Sequence, residues 1–116
     1  MRLRLLILSA VVLAGCASGP PPAGGRHLVY RDASGTPTMQ IDYPSDEFCR
    51  KVETIASRNA RCNPQSADGQ LQARATLRYD PPGMQVEAHY PDIARCQTAN
   101  SSMAQGVELV KPCTAK

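Results

Sequence analysis

The sequence predicts a small α+β domain, an antiparallel sheet in the order β-β-α-β-β-α-β with one or two helices on one face and two disulfides as staples. Three observations carry that prediction. Residues 71–90 hold two runs of apolar/polar alternation around a Pro-Pro-Gly turn, Ser45 opens an amphipathic segment, and Cys49, Cys62, Cys96 and Cys113 punctuate a chain with a single Phe and no Trp. A core this small leaves a domain of about ninety residues marginally stable, which is where cross-links matter most.

Segments 26–32 and 38–43 read as two strands around a turn at Ala33-Ser34-Gly35-Thr36-Pro37. Ser45 is suited to cap a helix over 46–59, with Asp46 and Glu47 at its positive end. The apolar face of that helix comprises Phe48, Val52 and Ile55, joined by Cys49 and Ala56. Next, Leu71, Ala73, Ala75, Leu77 and Tyr79 alternate with polar residues, as do Met84, Val86, Ala88 and Tyr90. Asp80-Pro81-Pro82-Gly83 between them cannot continue a strand, so the two runs form a hairpin. A four-residue loop sets Tyr79 opposite Met84, Leu77 opposite Val86 and Thr76 opposite Glu87. A second helix is expected over 92–103 with Ile93 and Cys96 inward, then a strand over 107–111 that ends before Pro112.

These assignments constrain the disulfides. In a helix reaching residue 59, Cys49 lies about 15 Å from its end, and the three residues on to Cys62 span at most about 10 Å. A disulfide needs Cα atoms about 4.4–6.8 Å apart, so Cys49–Cys62 is disfavoured. The remaining sets are Cys49–Cys96 with Cys62–Cys113, which is preferred, and Cys49–Cys113 with Cys62–Cys96. Metal binding is not expected, because no Cys-x-x-Cys pair exists and His27 and His89 stand alone in the sequence.

The first 25 residues have a different character. Arg2 and Arg4 precede an apolar stretch from Leu5 to Leu13, too short to span a membrane as a helix but suited to a secretory signal. Leu13-Ala14-Gly15-Cys16 resembles the lipobox of bacterial lipoproteins at every position. The resemblance implies cleavage between Gly15 and Cys16, with acyl chains on Cys16 anchoring the protein to a membrane. Ala17, where an aspartate would favour inner-membrane retention, implies an outer-membrane location facing the periplasm. The expected organisation is a signal at 1–15, a lipidated cysteine and Pro/Gly tether at 16–25, and a folded domain at 26–116.

Without the signal the chain carries 11 basic against 10 acidic residues. That balance gives no electrostatic reason to bind nucleic acid. Arg74, Arg78, Glu87 and His89 share the outward face of the expected hairpin, a candidate binding face. Asp42, Asp46 and Glu47 gather at a strand-to-helix junction, where capping explains them. No nucleophile is paired with a base, so no catalytic residue and no cofactor are assigned. The expected function is a binding or structural accessory role toward an envelope protein. The alternative is an inhibitor or small-ligand-capturing module, with the Asp80-to-Gly83 turn as its loop.

Overall fold

Chain order in the computed structural model, which describes residues 25–116, runs β1 (His27–Arg31), β2 (Pro37–Asp42), α1 (Asp46–Glu53), β3 (Ala60–Asn63), β4 (Ala73–Tyr79), β5 (Met84–Tyr90), α2 (Ile93–Asn100) and β6 (Val107–Ala115). The signal, Cys16 and the tether up to residue 24 lie outside the described residues. The strands form one antiparallel sheet in the spatial order β3-β1-β2-β5-β4-β6, so the expected α+β class holds.

Period-2 alternation divides the sheet into two unlike faces. Leu28, Ile41, Ala60, Ala73, Ala75, Leu77, Val86, Ala88 and Tyr90 form the core with Cys49 of α1 and Cys96 of α2, while Phe48, Val52 and Ile93 pack against it. Both helices therefore cover the same face. The hairpin has the expected register, with Tyr79 opposite Met84, Leu77 opposite Val86 and Thr76 opposite Glu87. Its turn closes with Gly83 at φ +90°, and the Gly83 N–H donates to the Tyr79 carbonyl at 2.6 Å.

The first helix starts as expected and stops six residues early. Ser45 Oγ accepts from the Phe48 N–H at 3.1 Å. At the other end, the Thr54 hydroxyl turns back onto the Lys51 carbonyl at 2.7 Å, and the Ile55 N–H bonds to Val52 one residue short of the helical partner. The last i→i−4 bond runs from the Ala56 N–H to the Val52 carbonyl at 2.9 Å, and Ile55, expected in the core, is 84% exposed.

The freed residues 54–59 form a turn that leads into β3, an edge strand that the sequence reading missed. Two side chains hold its return path. Glu53 accepts from the Cys62 N–H at 2.8 Å, and Asn59 donates to the Arg31 carbonyl at 2.9 Å. Cys49 and Cys62 then sit 6.1 Å apart at Cα and are bonded. The disfavoured Cys49–Cys62 bond is therefore the one formed, because the helix behind the distance argument is shorter than expected. The second bond is Cys96–Cys113. Neither preferred bond, Cys49–Cys96 or Cys62–Cys113, is present, and each disulfide joins one helix to the edge strand that follows it.

The last strand also runs further than expected, through Pro112 to Ala115. Proline lacks a donor and is excluded from central strands, but β6 lies at the sheet edge, where one row of backbone groups needs no partner.

Tyr43, directly after β2, is buried beside Phe48 and Tyr79, with ring centroids 5.4 and 6.3 Å away. Burial, and secondarily its hydrogen bond to Tyr79, pushes the phenol well above its ordinary 10.0. Burial likewise raises Tyr90, and raises Tyr30 with help from Tyr79. Because the folded state holds these protons more tightly than the unfolded chain, stability should be level through about pH 9. It should fall above about pH 10, by up to about 1.4 kcal/mol per pH unit for each such tyrosine. Urea titrations across that range should show a shallower fall for Tyr43→Phe.

The pairing is checked by peptide mapping of the oxidised protein, which should recover Cys49 linked to Cys62 and Cys96 linked to Cys113. Removing either pair as a double alanine variant should cost about 3 kcal/mol of unfolding free energy, given loops of 13 and 17 residues.

Candidate functional site

The sheet face turned away from the helices carries His27, Gln40, Asp42, Arg74, Thr76, Arg78, Glu87 and His89. Strand order brings these together from distant positions. Gln40 faces His89 and Asp42 faces Glu87 across β2 and β5, His27 faces Asp42 across β1 and β2, and Arg74 faces His89 across β4 and β5.

Asp42 is the hub. Its Oδ1 accepts from His27 Nδ1 at 2.6 Å and from Gln40 Nε2 at 2.7 Å, and its Oδ2 accepts from His89 Nε2 at 2.9 Å. Burial alone would raise this carboxyl. The hydrogen bonds from His89, His27 and Gln40 outweigh that effect and hold it well below the usual carboxylate range. Asp42 is therefore a carboxylate at neutral pH. It takes no part in capping α1, contrary to the sequence reading; Ser45, Asp46 and Glu47 are enough there.

Gln40, fully buried, extends the network upward. Its Nε2 also donates to Ser66 Oγ at 2.8 Å, and its Oε1 accepts from the Ala67 N–H at 2.7 Å. These bonds seat the loop of residues 64–72, with its single 3-10 turn Asp68–Gln70, over one part of the polar face. Lys116 holds the far side of the loop, its backbone N–H donating to the Gln72 carbonyl and its ammonium to the Asp68 carbonyl, each at 2.9 Å. Leu71 and Val29 are buried outside the main core cluster.

Arg74, Arg78, Glu87 and His89 do share one face, but His89 is not outward: it is 1% exposed. Glu87 approaches His89 Nε2 at 3.3 Å and Arg74 at 4.0 Å, while Arg78, further along the hairpin, pairs with Glu108 of β6. The geometry assigns ring tautomers. His89 Nδ1 is buried without a hydrogen-bond partner, whereas Nε2 carries a proton toward the carboxylates. His27 donates from Nδ1.

Past the loop, the face is open. One hollow of about 360 Å³ is lined by Arg74, Thr76, Glu87, Lys111, Pro112 and Thr114. A second, of about 300 Å³, lies against Arg26, Asp42, Tyr43, Pro44, Gln85 and Glu87. Glu87 belongs to both, so the hollows adjoin across β5, with Arg74 and Lys111 in the first, Arg26 and Asp42 in the second and the Glu87 carboxylate at the junction.

Of this site, the sequence reading found the β4–β5 contribution and missed His27, Gln40 and Asp42. Their alternation with Leu28 and Ile41 was the available signal, but only the β2–β5 pairing shows that they meet His89. No family model, curated protein or solved structure matches the chain.

Replacing Gln40 by alanine should remove the seat of the 64–72 loop. The expected results are a stability loss of about 2 kcal/mol or more and much faster hydrogen exchange at the Ala67 amide, with the β4–β5 amides keeping their protection relative to global unfolding.

Proposed function

We propose that this chain is a lipid-anchored cell-envelope protein whose folded domain is a non-catalytic binding module, acting through the polar face of its sheet. The single observation that carries this reading is the pair of adjoining hollows meeting at Glu87, which offers opposite charges side by side on a rigid sheet. Both disulfides lie on the helix-bearing side and so stiffen the scaffold without occupying that face, which lowers the ordering cost of binding. Two disulfides also suit the oxidising compartment to which the lipobox-like Leu13-Ala14-Gly15-Cys16 would direct the chain. The hydrogen-bond partners of His27 and His89 among the described residues are carboxylates and an amide, which favours binding over nucleophilic chemistry. The proposed partner is an envelope protein presenting both charges, reached from the outer membrane through the Pro/Gly tether. Capture of a small polar ligand is the second reading, favoured by hollows at the lower end of the ligand-pocket range.

Photo-crosslinking of the full-length protein in its native cells tests this. A photoreactive residue replacing the exposed Gln85, at the second hollow, should give a discrete heavier adduct. One replacing Lys51, on the exposed side of α1, should not. The wild type should fractionate with membranes and incorporate palmitate, and Cys16→Ser should do neither. Equal adducts at both positions, or none at Gln85, would remove the protein-partner reading. A Cys16→Ser protein that stays membrane-bound would remove the anchor.

A further inference from the structure

We propose that Asp42, Glu87 and His89 form a binding site for a divalent transition-metal ion of the zinc class. The inference deepens the reading of the polar face as a binding surface, but its test needs no partner, so the two can fail separately.

The donors come from a rigid source. Glu87 and His89 are two apart on β5 and project from one face, and Asp42 is the direct cross-strand neighbour of Glu87. One ligand atom from each of the three lies within 4.8 Å of the others. His89 Nε2 is 2.9 Å from Asp42 Oδ2 and 3.3 Å from Glu87 Oε1. Ligand atoms around a tetrahedral zinc, with bonds of about 2.0–2.2 Å, are separated by about 3.3–3.6 Å. Small side-chain rotations therefore suffice to admit an ion.

Three further observations point to a cation rather than to a merely structural cluster. The His89 ring is buried, and its Nε2 faces carboxylate oxygens from two residues. Two carboxylates neutralise a divalent ion, with the imidazole neutral and its proton moved from Nε2 to Nδ1. Asp42 is oriented from behind, since His27 and Gln40 hold Oδ1 and leave Oδ2 toward His89. Metal sites use that kind of outer support to fix their ligands. One imidazole with two carboxylates is a borderline set, suited to zinc or cobalt more than to calcium or copper(I).

Glu87 opens to both hollows, which supply an entry path and leave a coordination position for a donor group from outside. Arg74, 4.0 Å from Glu87 and about half exposed, competes for it. Its exposed side chain can swing into the adjoining hollow.

The experiment is calorimetric titration of zinc into the full-length, untagged protein in detergent, with cobalt absorption as a second readout. Wild type should bind one ion per chain and gain thermal stability. Glu87→Gln removes one ligand from a partly exposed position, and its fold is checked by circular dichroism; it should weaken binding roughly 10-fold or more. Asp42→Asn should abolish binding. Wild type that binds no zinc, or a folded Glu87→Gln that binds as tightly as wild type, would overturn the site.

Discussion

A single carboxylate organises the polar side of this domain. Asp42 sits at the end of β2 with neighbours on both flanking strands, and three side-chain donors converge on it. A charge this poorly solvated is costly unless its lone pairs are satisfied. Satisfying them requires β1, β2 and β5 in their observed order and register. A slip of one residue would send His27 or His89 to the opposite face. The network is thus a register lock, and Gln40 transmits it to the loop above.

The two faces are stabilised by different physics. On the helix side, aliphatic burial is modest, because alanine occupies core positions 60, 73, 75 and 88. Small residues let the two helices approach closely, and a disulfide fastens each helix to the strand after it. On the polar side, few apolar groups are buried, and order comes from hydrogen bonds to groups already fixed by the sheet. At the tether junction, Gly25 lies so close to the backbone of Asn63 that no side chain would fit. The chain leading from the proposed anchor therefore enters beside β3, at the edge farthest from β6.

Local chemistry explains what the sequence made legible. The hairpin was readable because alternation and a Pro-Pro-Gly turn act within twenty residues, and its register followed from loop length. Ser45 was readable because an N-cap needs only its own helix. The end of α1 was not, since the apolar spacing of Val52, Ile55 and Ala56 continues past the point where the helix ends. That error hid β3 and inverted the disulfide assignment, because the distance argument inherited the wrong helix length. Pro112 was read as a stop because edge and central strands look alike before the strand order is known. The Asp42 network was hidden for the same reason. His27, Asp42 and His89 are far apart in sequence, and each is unremarked in its own segment until β2 pairs with β5.

The central claim is that Asp42 fixes the two imidazoles. Nitrogen-15 NMR of the histidine rings at neutral pH tests it most directly. Two slowly exchanging ring protons are expected, on Nδ1 of His27 and on Nε2 of His89, each hydrogen-bonded and each lost in Asp42→Asn. Rings that exchange freely with solvent in the wild type, or that are unchanged by Asp42→Asn, would contradict it.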